Sequence, residues 1–410
     1  MKQVLFIGAV WPEPESSAAG TRTCQLVRGF LHEGYPVRFV SSAAQTVHSA
    51  PLEQWGVTIN QILLNDSSFD QQLLEWQPDI VIFDRFMMEE QYGWRINEQC
   101  PNAVKILDTI DLHFLRKGRE KAYKEQEEYI PFKTNDSLSF REMASILRCD
   151  LTLLISYFEF EWLSKNFPIP ESIFCYLPIH TEPIPEETQN QFPTFHSRKH
   201  FVTLGNWRHE PNRQSVIYLN KIWPKIKAKI PDAELFVYGA NTAENAQSFH
   251  KPREGFYIMG RVKSVKDIFT QHRVLLAPLF FGAGIKGKIL DGMQFGLPNV
   301  TTTLGAEGMH IESLWNGLIA DEKDFIEKAI RLYQNKELWE DSVRNGFEIN
   351  NKLFADRTPE RNFYHQLKNI VNDLESHRQQ NLMGQLLQHH TLMSHRYMSK
   401  WIELKNKVQN

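Results

Sequence analysis

Between Phe281 and Met309 the chain reads FGAGIKGKILDGMQFGLPNVTTTLGAEGM. These residue types at this spacing suit a bound diphosphate with a sugar or ribose beside it. Gly282 and Gly284 let a backbone approach a ligand where a Cβ would clash, and Ala283 between them adds only a methyl group. A helix starting near Ile285 points its first unpaired N–H groups at that ligand. On a helical wheel Ile285, Ile289, Leu290 and Met293 share an apolar face. Lys288 and Asp291 lie three apart on the other side. The lysine is nearer the helix start, where phosphate charge would lie. The aspartate sits a turn further on, where it can accept hydrogen bonds from ribose hydroxyls. The plainer alternative is a turn before a helix, with Lys288 and Asp291 as a solvated ion pair.

This segment resembles the donor-binding core of GT-B glycosyltransferases of the retaining family 4 (glycosyl transferases group 1) type. The resemblance rests on Gly282-Ala283-Gly284, on Asp291, and on Gly296-Leu297-Pro298 followed by a buried strand, Asn299-Val300-Thr301-Thr302. The common family pattern carries two glutamates; here Asp291 stands in the second position and Ala283 falls near the first. The chain follows a subgroup that has Lys286, Lys288 and a later Gly305-Ala306-Glu307-Gly308. The resemblance implies a nucleotide diphosphate sugar as donor, a hydroxyl of a glycan, lipid-linked or protein acceptor, and no metal or other cofactor. It makes Gly282, Ala283, Gly284, Ile285, Lys286 and Asp291 donor-binding and Lys288 catalytic through leaving-group charge. Glu307 or backbone amides would replace the missing glutamate.

Elements must position these residues. Val4–Val10, Val37–Val40, Ile80–Phe83, Val104–Leu107 and Leu151–Ile155 read as strands, with a helix over Gly20–Gly34. A second series follows, with strands at Phe201–Leu204, Glu234–Tyr238, Phe256–Met259 and Val274–Ala277. Its helical stretches are Ser215–Lys229, one within Val262–Gln271, Asp321–Tyr333 and Lys336–Asn350. Alternation of this kind predicts an α/β class: two doubly wound, Rossmann-like domains with parallel sheets. The resemblance supplies the GT-B arrangement, with the domains facing a cleft. The expected boundaries are 1–185 for an acceptor-side domain, 186–199 for a polar, proline-rich linker, 200–375 for the donor domain and 376–410 for a helical tail.

Other strand ends add candidates. The turn Gly205–Asn212 offers Arg208, whose guanidinium can grip two phosphate oxygens; a surface arginine is the alternative. In relatives the turn containing Val262 lies against the nucleotide base. Asp108, Asp111 and His113 follow the strand Val104–Leu107. A metal site of hard ligands is one reading. The resemblance favours His113 as a catalytic residue beside donor sugar and acceptor, with Asp108 and Asp111 capping a helix or orienting it. In the loop after the first strand, Gly20 is a close-approach candidate and Arg22 a second cation for acceptor or phosphate; Asp111 joins this acceptor-side group.

At 410 residues, with 42% hydrophobic and 23% charged residues, the chain is long enough for about two globular domains. A net charge of −3 gives no reason to expect a nucleic-acid partner. Four scattered cysteines form no zinc spacing or disulfide framework, which fits a reducing cytoplasm. The N-terminal apolar run reads as a buried strand rather than a signal peptide, and no stretch is long enough to span a membrane. Residues 376–410 have a basic amphipathic pattern. A helix docked on the protein's own surface is the first reading; contact with a partner, or with the inner face of a membrane, is the second. The expected activity is metal-independent, retaining glycosyl transfer. The rival readings are a non-catalytic binding subunit of the same fold and an epimerase or hydrolase built on it.

Overall fold

The computed structural model describes residues 2–131, 136–240 and 244–409. The chain divides into two compact units. The first comprises residues 1–115, 130–178 and 358–410, the second residues 116–129 and 179–357. Each is built on one wholly parallel sheet.

The sheet of the first unit has strands β1 (Val4–Gly8), β2 (Val37–Ser41), β3 (Thr58–Gln61), β4 (Ile80–Asp84), β5 (Val104–Asp108), β6 (Leu151–Leu154) and β7 (Phe174–Tyr176). Their spatial order is β3-β2-β1-β4-β5-β6-β7. The sheet of the second unit has β8 (Lys199–Leu204), β9 (Leu235–Tyr238), β10 (Phe256–Gly260), β11 (His272–Ala277), β12 (Asn299–Thr301) and β13 (Gly317–Ile319), ordered β10-β9-β8-β11-β12-β13. All adjacent strands pair in parallel. Strands β1, β4, β5 and β6 are buried along their whole length, as strands covered by helices on both faces must be.

In each sheet the winding direction reverses once, between β1 and β4 and between β8 and β11. At such a switch point the two following loops diverge and leave a crevice at the carboxyl ends of the strands. The glycine-rich segment after β11 and the Gly205 turn after β8 therefore flank the crevice of the second unit.

Every strand expected from the sequence is present to within two residues at each end. Three were not foreseen: β3, β7 and β13. All three are edge strands. β3 (TINQ) is polar and partly exposed, and β7 and β13 have only three residues each, so none carries a long apolar run.

The domain boundaries differ from the sequence expectation in two places. The helix Thr358–Asn372 belongs to the first unit, not the second. Its Phe363, Tyr364, Leu367 and Ile370 complete the core around Phe6, Phe30 and Phe39. Phe30 meets the Phe363 and Tyr364 rings edge-on at 5.8 and 5.6 Å. A Cβ on Gly29 would lie 2.5 Å from the Tyr364 hydroxyl, so this glycine lets the helix dock closely. Residues 186–199 are not a free linker either. They contain a short helix (Glu186–Gln189), a 3-10 turn (Phe195–Ser197) and the start of β8. Arg198 is fully buried there and donates to the carbonyls of Pro193, Phe269 and Phe295. Burial lowers its pKa to about 10.

The tail forms the helices Leu374–Gln379 and Leu382–Gln409. The first reading, docking on the protein's own surface, is the one observed: the tail packs on the helices Phe86–Gln99 and Ser137–Arg148. Arg378, counted among the basic residues of the tail, is tied down at its base. It grips both oxygens of Asp150 at 2.7 and 2.9 Å and donates to the carbonyls of Pro101 and Ala103. No helix among the described residues is long and apolar enough to cross a membrane.

Candidate functional site

In the second unit, β11 ends at Ala277 and the chain turns through Pro278–Lys286 before the helix Gly287–Gln294. Gly282 (φ 153°) and Gly284 (φ 65°) hold conformations that favour glycine. The helix starts two residues later than the wheel suggested, with Lys286 as its N-cap and no side chain capping it. An uncapped start leaves the first N–H groups oriented for an anion. Ile289, Leu290 and Met293 are buried as the wheel predicts, and so is Ile285, which precedes the helix. Ala283 is half-buried.

The two lysines of the segment do different things. Lys286 is buried and its Nζ donates to the carbonyl of Gly284 at 2.8 Å, bracing the loop from within. Lys288 reaches across the crevice to the Oδ1 of Asn212 at 2.8 Å. Asn212 lies in the first turn of the helix Glu210–Lys229, and its Nδ2 donates to the Asn206 carbonyl at 3.0 Å. Gly205 is required here because a Cβ would fall 2.4 Å from the Asn212 side chain. Lys288 thus joins the two loops of the switch point. It keeps part of its surface open, yet burial lowers its pKa to about 7. Asp291, one turn along, is also half-buried, and burial raises its carboxyl to about 7. The sequence singled out Arg208 in the Gly205 turn; it is exposed, and its backbone N–H donates to Asn206 Oδ1 at 3.0 Å. Val262 is half-buried, two residues beyond the carboxyl end of β10.

In the second unit two participants were not foreseen. Asn212 lay within the quoted turn but was passed over for the cation beside it. An amide at the start of the helix, seven residues after Gly205, was the available signal. Arg119 carried none. It belongs to the segment Arg116–Tyr129, which groups with the second unit. Its guanidinium holds both carboxylate oxygens of Glu307, at 2.8 and 3.0 Å, and donates to the Gly282 carbonyl at 3.0 Å. In the same segment Tyr123 stacks on Phe280, centroids 5.4 Å apart and planes 8° apart. Glu307, expected (or backbone amides in its place) to stand in for the missing glutamate, is part of a brace on the glycine loop.

In the first unit, β5 ends at Asp108 and the chain turns to the helix His113–Glu125 through Ile110, whose φ is +63°. A β-branched residue there is strained, a condition that persists only when its surroundings fix it. They do so as follows. Leu112 N–H donates to Glu159 at 3.2 Å, and His113 and Phe114 N–H donate to Glu142 at 3.0 and 2.7 Å. His113 Nδ1 lies 3.1 Å from the Asp111 carbonyl and 3.5 Å from both Asp111 Oδ1 and Glu142 Oε1. Its ring meets Phe86 edge-on. Asp111 and Glu142 thus both lie against the His113 ring; Glu142 was not among the residues the sequence singled out.

Asp108 points the other way. It is buried and its pKa is raised by that burial against the pull of Arg22. Arg22 Nε lies 3.4 Å from Asp108 Oδ1, and Nη1 donates to the Pro178 carbonyl at 2.9 Å. Arg22 is 1% exposed, so it is a core cation and not a phosphate ligand offered to solvent. No group of three His, Cys, Asp or Glu side chains that could hold a metal ion occurs among the described residues. Gly20 does make a close approach, but to its own loop: a Cβ would meet the Glu13 carbonyl oxygen at 2.3 Å.

Residues 198–335, the bulk of the second unit, match the family model Glycosyl transferases group 1. The chain is similar along 90% of its length to the sucrose-phosphate synthase of Thermosynechococcus elongatus, with a TM-score of 0.65, 13% identity and 99% of that chain covered. The fold is GT-B. WaaG, a glycosyltransferase involved in lipopolysaccharide biosynthesis, superposes with a TM-score of 0.63 at 13% identity, over 87% of this GT-B chain and 98% of its own. HepE of Anabaena, in complex with UDP and glucose, gives 0.63 at 12% identity over 90% and 100%. In sequence, the chain is 28% identical over 184 residues to a protein described as "Uncharacterized 44.6 kDa protein in cps region" of Klebsiella pneumoniae. That match spans 42% of this chain and 46% of the relative, less than half of either.

Proposed function

We propose that this GT-B protein transfers a glycosyl group from a nucleotide diphosphate sugar to an acceptor hydroxyl of a glycan, lipid-linked or protein substrate, without a metal. One observation carries this reading. At the switch point of the second sheet, Lys288 joins the loops after β8 and β11 beside an uncapped helix start, and its ammonium has lost much of its hydration. A cation in that state gains more from an incoming phosphate than a solvated one would.

The remaining roles follow from position. The helix start at Gly287 and Lys288 receive the diphosphate, and Arg208 swings onto it from the facing turn. Asp291 accepts from ribose hydroxyls, and Val262 lies by the base. Lys286 and the Arg119–Glu307 pair keep the Gly282–Gly284 loop in shape. The difficult part of the reaction is negative charge on the departing diphosphate, which these cations and the helix dipole offset. His113, fixed by Asp111 and Glu142, serves the acceptor side with the Gly20 loop. Among the residues considered none is placed as a nucleophile, which agrees with a retaining course in which a departing phosphate oxygen takes the acceptor proton.

That HepE is in complex with UDP and glucose, on a similar fold, supports a nucleoside diphosphate as the ligand to try first. A hydrolase using Asp108 and Asp111 is disfavoured, since it needs two carboxylates facing the scissile bond and Asp108 is turned onto Arg22. Product analysis with labelled donors tests the proposal. Transfer of sugar to an acceptor with release of the nucleoside diphosphate supports it. Binding of donor with no transfer to any acceptor hydroxyl, and hydrolysis alone, contradicts it.

A further inference from the structure

The helix Leu382–Gln409 is amphipathic in the reverse sense from that expected of a docked helix. A helix packed on a globular surface turns its apolar side inward. Here the fully buried positions among its described side chains are Gly384 and Ser399. Gly384 lies so close to the Leu147 carbonyl that a Cβ would be 2.1 Å from it. Gln388 donates to the Arg148 carbonyl at 2.7 Å, Ser399 donates to Asn65 at 2.9 Å, and Glu403 accepts from Ser67 at 2.7 Å. Among the described side chains the inner side is mainly small or polar, with Leu387 and Ile402 the half-buried apolar members.

The outer side carries Leu386, Met393, Tyr397, Trp401, Leu404 and Val408, all exposed, with Trp401 at 62% and Val408 at 86%. At 100° per residue these six fall within an arc of about 80°. With Leu382 at the near end, the stripe runs about 40 Å at 1.5 Å per residue. Lys400 lies just beyond one margin of the arc, and Lys405, beyond the other, sets its Nζ 5.4 Å from the centre of the Trp401 ring. The helix has four lysines and arginines and one carboxylate, Glu403, and that carboxylate is turned inward onto Ser67 and Lys407.

We propose that this stripe is a membrane-contact surface, on which the helix lies in the plane of a bilayer containing anionic lipids. An apolar arc of this length with aromatic rings and cationic margins matches the interfacial helix geometry: side chains enter the acyl boundary and lysines reach back to the headgroups. Charge decides against a second copy of the chain. Two such stripes face to face would bring Lys400 and Lys405 of one against those of the other, with no outward carboxylate to pair them. Anionic headgroups supply the missing charge.

The test is flotation of the full-length protein with vesicles of phosphatidylcholine, with and without phosphatidylglycerol. Trp401→Ser/Leu404→Ser is the first variant and Lys400→Glu/Lys405→Glu the second; all four side chains are exposed, and circular dichroism checks that each variant keeps its fold. The expected result is binding to the anionic vesicles that weakens with salt, at least roughly tenfold weaker in either variant. No binding of the wild-type chain to either vesicle overturns the proposal. So does binding that both folded variants retain unchanged. So does a concentration-dependent dimer, by sedimentation, that the first variant abolishes. Nucleotide binding is measured alongside, and both variants are expected to keep it.

Discussion

Lys288 and Asp291 show how one environment sets two opposite protonation preferences. Burial alone moves both toward neutrality, the ammonium down and the carboxyl up, each to about 7. A phosphate beside Lys288 restores its charge. Affinity for a nucleoside diphosphate is therefore full below pH 7, where the lysine already carries its proton, and falls as pH rises above 7 until the pKa of the bound form is reached. Above pH 7 binding takes up a proton, visible as a dependence of the calorimetric heat on the buffer's ionisation enthalpy. The same shift affects stability. Lys288 is depressed from 10.5 to about 7, so the unfolded chain holds more protons between those values and the folded protein is penalised below them. Lys288→Met removes the penalty. It is expected to raise Tm at pH 7, by an amount that shrinks as pH approaches 10.5, while binding is lost. At His113 the expectation is different. His113→Ala leaves nucleotide affinity within about twofold, since no phosphate is assigned to it, and lowers the transfer rate by the roughly 100-fold or more of a lost acid–base or polarising group. Unchanged turnover makes His113 structural.

Elements with a strong local pattern were legible, and those defined by their neighbours were not. β1, β4 and β5 announce themselves as runs of apolar residues because both their faces are covered. The edge strand β3 exists only because β2 offers it a ladder. The glycine-rich loop was readable because its backbone conformations demand glycine. The partners of that loop were not. Arg119 reaches Gly282 and Glu307 from 163 and 188 residues away in sequence, and no local pattern encodes a contact of that kind. Arg22 misled for a related reason: a cation in a loop-to-helix segment looks like a ligand, and only the position of Asp108 reveals it as part of the core. The stretch 186–199 misled through composition, since proline and polar residues suggest a linker. Arg198 shows otherwise. Arg198→Ala leaves three backbone carbonyls without their donor and is expected to destabilise the second unit by about 3 kcal/mol. Chemical denaturation read by a tryptophan of that unit, such as Trp223, measures this.

At the scale of the molecule the chain visits its units more than once. The helix Thr358–Asn372 closes the core of the first unit after the whole second unit has been made. The sequence analysis did not single out this helix, and its apolar positions Phe363, Tyr364, Leu367 and Ile370 do not by themselves say which core they serve. The consequence is a truncation limit. Removing residues 358–410 uncovers Phe30 and its neighbours, and the first unit is expected to lose cooperative unfolding. Phe363→Ala alone is expected to cost about 3–5 kcal/mol, as for other buried phenylalanines. A folded, soluble fragment ending at residue 357 would show that the helix is an addition and not part of the core. The central claim is tested most directly by isothermal calorimetry of the full chain with UDP, GDP, ADP and dTDP, in the presence of a chelator, for wild type and Lys288→Ala. The account predicts binding of one nucleoside diphosphate by the wild type, weakened roughly 10- to 100-fold in the variant, the loss expected for a charge-assisted hydrogen bond. Equal affinity in the two proteins, or no binding by the folded wild type, would contradict it.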